Sequence, residues 1–352
     1  MNDHPIRNME AFSALSGISR PTLSKYFNDP ASVRASTRAQ IEQALQRYDY
    51  RPNLFAVNLN KRKPKIVGIV VPDLGDPFFA RLVQLIEHRC AALGLLLMVL
   101  SSGGEARLEA RAIETLLSFK IAGAVLAPLG RGAKSGLIQS LQARIPVVFV
   151  DSRLDEAATF VGTDNRQSIG LITDYLCRTG ERPTFFDMPA VNHNAAERRD
   201  AYVAAMERQG LQPEIVPVAA GRVWTFEEVG YATALAVLDG RTGFPTRTLL
   251  CANDRIAVGV MAAAFERGIR VGRDADCGLR VAGHDDQPLS RFTCPPLTTV
   301  AQDFERLAET ALDLLLARID GAGPTDPAGA RAGGRAGGHV RLDARLVMRA
   351  SA

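Results

Sequence analysis

Apolar positions along the chain follow two rhythms. In the first fifty residues they recur every three or four positions: Met9, Phe12 and Leu15, then Leu23 and Phe27, then Ile41, Leu45 and Tyr48. Such spacing lines one face of a helix. It predicts three short helices, over Met9–Leu15, Arg20–Phe27 and from Ser36/Thr37 to Tyr48. Ser16-Gly17-Ile18 supplies a tight turn between the first two, with a glycine free to take positive φ. Ser19 is placed to cap the second helix, and Pro21 falls in its first turn, where a missing N–H costs little. Asn28-Asp29-Pro30 stops that helix, and Thr37 with Gln40 has the spacing of a capping box for the third.

Beyond residue 63, short apolar runs alternate with helical stretches. Strands are predicted at Ile66–Val71, Leu95–Leu100, Ala124–Ala127, Pro146–Asp151, Thr184–Asp187, Ile215–Ala219, Thr248–Ala252, Arg280–Gly283 and Thr298–Val300. Helices such as Phe79–Leu93, Arg107–Phe119, Ser168–Arg178 and Ala196–Gln209 lie between them. This alternation builds parallel α/β sheets, and the units are too many for one. The expected fold class is an all-α helix-turn-helix head followed by α/β, two doubly wound parallel-sheet subdomains. Ligands of such sheets bind at the carboxyl ends of the strands, here in the cleft between two lobes. The expected divisions are 1–52 for the head, 53–63 for a hinge, 64–161 with 291–325 for one lobe and 162–290 for the other. Gly321 to Gly338 reads as a flexible linker, leaving 321–352 as linker plus one terminal strand, Val340–Met348.

Composition narrows the classes. Hydrophobic residues make up 47% of the 352, enough for an ordinary core. The longest uncharged apolar run, Ala91 to Leu100, is about half of the ~20 residues a membrane span needs. The first residues show no apolar stretch of the kind a secretory leader has. Five scattered cysteines without a CxxC suit reduced thiols, so a cytoplasmic location is expected, without a disulfide frame or zinc knuckle. The formal net charge is +4, but Met1 to Lys63 holds ten Lys/Arg against five Asp/Glu, so the head carries +5 and the remainder −1. A basic head on a near-neutral body is the footprint of a polyanion binder. On the second helix Arg20, Thr22, Ser24 and Lys25 fall on the polar side, where Arg can pair with guanine and a Thr methyl can touch thymine.

The run from Ser16 to Asn60 resembles the DNA-binding head of the lactose-repressor (LacI) family. The family shows A-G-V-S, three variable recognition residues, V-S-x-x-x-N, then S-x-x-T-R, Y-x-P-N and a hinge ending in leucine. Here these stand as Ser16-Gly17-Ile18-Ser19, Arg20-Pro21-Thr22, Leu23-Ser24 with Asn28, Ser36-Thr37-Arg38, and Tyr50-Arg51-Pro52-Asn53. The resemblance implies double-stranded operator DNA as partner and Ser19, Arg20, Thr22, Ser24, Lys25, Asn28, Arg38, Asn53 and Leu59 as DNA-binding residues. Leu59 would wedge into the minor groove from a hinge too short to be helical alone. Two positions depart from the family: Asn8-Met9-Glu10 opens the first helix, and Pro21 occupies a recognition position without an N–H to offer.

The body resembles the effector-binding core of the same family, itself similar to periplasmic sugar-binding proteins. The matching residues are Val71-Pro72-Asp73 with Asp76-Pro77-Phe78-Phe79, Asp151, Val161 to Asn165, Arg198 with Ala201-Tyr202, Asn253-Asp254, Gly283 to Asp286, and Pro296 to Val300. Carried over, the effector-binding positions are Asp73, Phe79, Asp151, Arg198, Trp224, Asn253 and Asp285. Carboxylates, an amide and a guanidinium suit hydroxyls, and aromatic faces suit a pyranose, so a sugar or polyol is expected. His284 either shifts pocket polarity or is an ordinary surface histidine. The end of the chain carries no leucine heptads, so a two-fold homodimer is expected. The resemblance implies a regulator, most naturally a repressor, whose operator binding a small molecule controls. The rival classes are an enzyme or a plain ligand-binding protein on the same core. Against an enzyme, the chain lacks GxxxxGK[ST], HExxH and GxSxG, and its five histidines are scattered; no catalytic residue, cofactor, metal or membrane partner is expected.

Overall fold

The computed structural model describes residues 8–53, 64–130, 135–154, 158–219, 224–241, 243–321 and 338–352. The hinge expected over 53–63, with Leu59, falls outside the described residues apart from Asn53, as does most of the linker expected after Gly321. The chain divides into two units, Met1–Ile66 with Lys120–Ala122, and Val67–Phe119 with Gly123–Ala352.

The first unit holds α1 (Met9–Ser16), α2 (Arg20–Asn28) and α3 (Ala35–Tyr48), with a 3-10 turn at Pro30–Ser32. Asn8 caps α1, accepting from the Ala11 N–H at 2.8 Å, and Gly17 ends it at φ 68°. Ser19 caps α2 by accepting from the Thr22 N–H at 3.4 Å, with Pro21 in the first turn. The capping box expected from Thr37 and Gln40 does not form. The third helix begins earlier, at Ala35, so Thr37 lies inside its first turn, and Arg34 at the cap position makes no side-chain bond. Phe12, Leu23, Val33, Ile41 and Tyr50 form the core, and Phe12 stacks on Tyr50 with centroids 4.4 Å apart. Leu15, expected in the buried stripe, is 54% exposed. Its carbonyl instead accepts from the Tyr48 hydroxyl at 3.0 Å.

The second unit has two lobes. In the first lie β1 (Ile66–Val71), α4 (Pro77–Ala92), β2 (Leu96–Ser101), α5 (Ala106–Ser118), β3 (Gly123–Leu126), α6 (Ser135–Gln142), β4 (Val147–Val150) and β5 (Phe160–Thr163). The second lobe continues with α7 (Asn165–Thr179), β6 (Thr184–Phe186), α8 (His193–Arg208), β7 (Ile215–Val216), α9 (Phe226–Leu238), β8 (Thr248–Cys251), α10 (Asp254–Glu266), β9 (Arg280–Ala282) and β10 (Thr299–Ala301). The chain then returns through α11 (Phe304–Ile319), β11 (His339–Leu342) and β12 (Arg345–Val347). The first sheet has the order β11-β5-β4-β3-β1-β2 and the second β7-β6-β8-β9, while β10 and β12 form an antiparallel ribbon.

Sheet pairing moves two expected boundaries. The first lobe runs to Thr163, because β5 pairs with β4 and β11. Residues 291–303 go with the second lobe, because bridges Ala282↔Thr298 and Asp285↔Ala301 lay this segment along β9. The single strand expected at Val340–Met348 is two: β11 pairs parallel with β5, and after Asp343-Ala344 the chain changes lobe so that β12 pairs with β10. Three crossovers therefore join the lobes. Side chains stitch them together: the Thr163 hydroxyl donates to Gln302 Oε1, and the Gln167 amide exchanges two 3.0 Å bonds with the Ala344 backbone.

In the second lobe α9 and α10 pack with almost no space between their backbones. A Cβ on Gly259 would stand 2.1 Å from the Glu227 carbonyl oxygen and 2.6 Å from the Tyr231 nitrogen. Gly259→Ala should force the helices apart and lower stability by about 1–3 kcal/mol, visible as a lower thermal midpoint. An unchanged midpoint would contradict the close approach.

Candidate functional site

On the head, α2 carries most of the expected DNA-binding residues. Arg20, Lys25 and Asn28 are exposed, and neither Arg20 nor Lys25 has an ion-pair partner among the described residues. Ser19 has a largely structural part, since its Oγ caps the helix and lies 2.8 Å from Thr22 Oγ1. Thr22 and Ser24 are half-buried. Arg38 turns inward, donating to the Val33 carbonyl at 3.4 Å. Asn53 is exposed at the end of the described head.

The body holds a cavity of about 350 Å³, its open mouth included. From the first lobe come Asp76, Phe78, Phe79 and Asp151; from the second come Met188, Val191, Asn192, Asn194, Arg198, Trp224, Phe226, Asn253 and Asp285. Six of the seven expected effector positions therefore meet in one place. Asp73 does not: its carboxylate folds back to accept the Gly75 N–H at 2.8 Å. Asp76 lines the cavity instead, capping α4 by accepting from the Phe78 N–H at 2.9 Å. The sequence signal was there, an acidic residue immediately before a helix-opening proline.

Arg198 and Asp285 form the polar floor. Arg198 donates to Asp285 Oδ1 at 3.0 Å, to the Ala252 carbonyl at 2.7 Å and to Asn165 Oδ1 at 3.2 Å. Asp285 also accepts from the Gln302 amide at 2.7 Å, and that side chain stitches two crossovers. Burial pushes the Asp285 carboxyl up, but Arg198, His284 and Gln302 together hold it below its ordinary value. Its backbone stands at φ 122° and that of Asp151 at φ 64°, conformations that persist only where the surroundings over-determine them.

His284 is a fully buried imidazole, neither a surface group nor a cavity-lining one. Burial and the Arg198 charge push it down to about 4, so it is neutral. The network then assigns its tautomer: Nδ1–H donates to Asp285 at 2.9 Å, and Nε2 accepts from the Ser168 hydroxyl at 2.9 Å. Ser168–His284–Asp285 has the hydrogen-bond order of a nucleophilic triad. Yet Ser168 and His284 are both 0% exposed, so the hydroxyl meets no substrate and the imidazole is too weak a base. The arrangement fixes the Asp285 carboxylate.

Burial also raises Asp151 to about 7 and Asp76 to about 6, against the lowering pull of Arg198 and Arg255 respectively. Asn253 caps α10, accepting from the Ile256 N–H at 2.8 Å. Trp224 stands edge-on to Phe79 and Phe226, centroids 5.9 and 5.5 Å away, and its buried indole N–H has no acceptor among the described residues. Arg255, which sequence reasoning passed over, reaches from α10 to Asp76 at 3.1 Å and to Glu227 at 2.6 and 2.7 Å. It closes the second lobe onto the first beside the cavity. Such a contact pairs residues far apart in the chain and leaves no local signal. Among the described residues no helix is long and apolar enough to cross a membrane.

Comparison with known proteins bears on both regions. Residues 13–53 match the family described as bacterial regulatory proteins, lacI family, and residues 168–352 match the periplasmic binding protein-like domain. The ribose operon repressor of Escherichia coli is 28% identical over 313 residues, covering 88% of this chain and 92% of that protein. The HTH-type transcriptional repressor PurR of Pasteurella multocida is 28% identical over 309 residues, 87% and 90% of the two chains. A solved lac repressor dimer, bound to operator and the anti-inducer ONPF, superposes with a TM-score of 0.81 at 25% identity over 99% of each chain.

Proposed function

The chain belongs to the lacI family of bacterial regulatory proteins and carries the periplasmic-binding-protein-like core, and on that footing we propose that it is a transcriptional repressor whose operator binding a small molecule controls. The observation that carries this reading is the union in one chain of two parts. One is a basic helix-turn-helix whose α2 cations Arg20 and Lys25 have no ion-pair partner among the described residues; the other is a two-lobed core whose cavity gathers Phe79, Asp151, Arg198, Trp224, Asn253 and Asp285.

Lys and Arg of the head neutralise phosphates, giving a salt-dependent, sequence-independent share of affinity. Arg20 and Thr22, at the start of α2, read bases in the major groove, and Leu59 wedges into the minor groove. The protein acts in the cytoplasm as a homodimer, like the operator-bound lac repressor it superposes on, with two heads on a pseudo-palindromic site. The effector is a sugar or polyol: Arg198, Asn253 and the carboxylates hold hydroxyls, and the Phe79–Trp224–Phe226 wall covers an apolar face. Occupancy changes the angle between the lobes, and the three stitched crossovers turn that change into a coupling free energy, typically ~1–3 kcal/mol.

The test is selection of duplexes from a random library with the purified protein, followed by titration of the selected duplex with sugars and polyols. Enrichment of a two-fold symmetric site that a sugar or polyol releases is expected; no enrichment over scrambled competitor overturns the reading. Within that assay Arg20→Ala should relax base preference at one position per half-site by ~1–3 kcal/mol. Identical preferences before and after would remove Arg20 from base reading.

A further inference from the structure

The charge on the cavity wall deepens the reading above, on which this inference rests. Four carboxylates, Asp76, Asp151, Asp285 and Glu227, stand in or against the cavity, and among the described residues two guanidiniums, Arg198 and Arg255, face them. Their pairing is complete without Asp151. Arg198 is held by Asp285 at 3.0 Å, and Arg255 is shared between Asp76 at 3.1 Å and Glu227 at 2.6 Å. Asp151 has no ion pair within contact distance among the described residues; the Arg198 charge acts on it from further away, and its hydrogen bond comes from Asn194. The Asn194 side-chain oxygen is occupied by Asn165 at 2.9 Å, which leaves the Asn194 amide N–H to serve Asp151.

The apolar side of the cavity suits a cation as well. Trp224 stands edge-on to both Phe79 and Phe226. One ring already carries a positive group, with the Arg255 guanidinium carbon 5.0 Å from the Phe226 centroid. The orphaned Trp224 indole N–H asks for one oxygen acceptor.

We propose that the cavity takes a hydroxyl-rich ligand bearing a protonated amine, such as an amino sugar or aminopolyol, with Asp151 as the counter-ion of the amine. The ammonium donates to Asp151 and lies against the aromatic wall, a hydroxyl oxygen accepts from the Trp224 N–H, and the remaining hydroxyls meet Asn253 and the Arg198–Asp285 floor. A carboxylate or phosphate in the same place would face Asp151 with like charge and find both guanidiniums taken. The site thus sorts ligands by charge before it sorts them by shape.

Trp224 is the one tryptophan in the chain, so intrinsic fluorescence reads this wall directly. The experiment uses the full-length protein at fixed ionic strength. Caesium and iodide serve as collisional quenchers, and D-glucosamine, D-glucose and D-gluconate as binding probes, in the wild type and in Asp151→Asn. With each quenching constant divided by that of free N-acetyltryptophanamide, because iodide is intrinsically the more efficient quencher, caesium should quench more strongly than iodide, and this normalised ratio should fall towards one in Asp151→Asn. Any preference of the wild type for D-glucosamine over D-glucose should shrink by about tenfold, roughly 1.4 kcal/mol. A wild-type ratio at or below one overturns the proposal, whether or not the variant folds, and so does tighter binding of D-gluconate than of D-glucosamine. Release of the selected duplex by D-glucose together with such a ratio would sink the amine and leave the effector reading standing. A duplex that no small molecule releases, with the ratio above one, would sink the effector reading instead.

Discussion

Arg198→Ala is expected to abolish the effector response and to cost the body about 3–5 kcal/mol, the usual consequence of leaving a buried charge without its partner. Arg198 is 5% exposed and Asp285 5%, so no water replaces the lost guanidinium. Asn165 Oδ1 and the Ala252 carbonyl lose their donor in the same stroke. The effect has a pH signature. In the wild type Asp285 is held below its ordinary 3.8, so its pairing stabilises the fold fully above that value and is lost as pH falls through the lower folded one. The gap in stability between wild type and Arg198→Ala should therefore be widest near neutrality and narrow in acid. Chemical denaturation at several pH values measures the gap. A gap independent of pH would remove Asp285 as the partner that matters. Operator binding should persist in this variant well below its lowered midpoint, because the head is a unit of its own. A variant that a sugar still releases from the duplex would take Arg198 out of the cavity's function.

The second large effect is expected in the head. Phe12 is fully buried, stacks on Tyr50 and meets Tyr48 edge-on at 6.4 Å. Phe→Ala in a core costs about 3–5 kcal/mol. A domain of this size rarely has more than about 3–5 kcal/mol in total, so Phe12→Ala should leave the head largely unfolded. The expected result is a loss of duplex binding of at least two orders of magnitude, while the thermal midpoint of the body stays where it was. Retained duplex binding would show that the five-residue core is not what holds the reading helix. A fall in the body's midpoint would show that the two units share stability.

Local signals made the head readable. Gly17 at positive φ, Ser19 as a cap and Pro21 behind it act within a few residues of themselves, and α1 and α2 start and stop where those residues dictate. Thr37 and Gln40 have the right spacing for a box, but Ala35 and Ser36 already suit a helix, and the start moved upstream of them. In the body, long apolar runs such as Ile66–Val71 announce buried strands. Phe160–Thr163 did not stand out because it is short and contains Gly162. The division of the last strand could not be read either, since β11 and β12 owe their places to β5 and β10, far back in the chain.

The cavity was legible for a related reason. Asp151, Asn253 and Asp285 sit at strand ends and a helix start, where the architecture must place a site, and Arg198 reaches there from the second turn of α8. Between Asp73 and Asp76, three residues apart, only geometry decides, and the Asp73 bond to Gly75 settles which one turns away. The burial of His284 depended on Ser168, more than a hundred residues earlier. Arg255 depended on Asp76 in the opposite lobe.

The third crossover has a practical consequence. Because the last stretch of chain lends β11 to one lobe and β12 to the other, neither lobe can be cut out as a continuous piece of sequence. A stop codon shortly after Gly338 would strip an edge from both at once. The closing strap must therefore be kept whole in any shortened version of the chain.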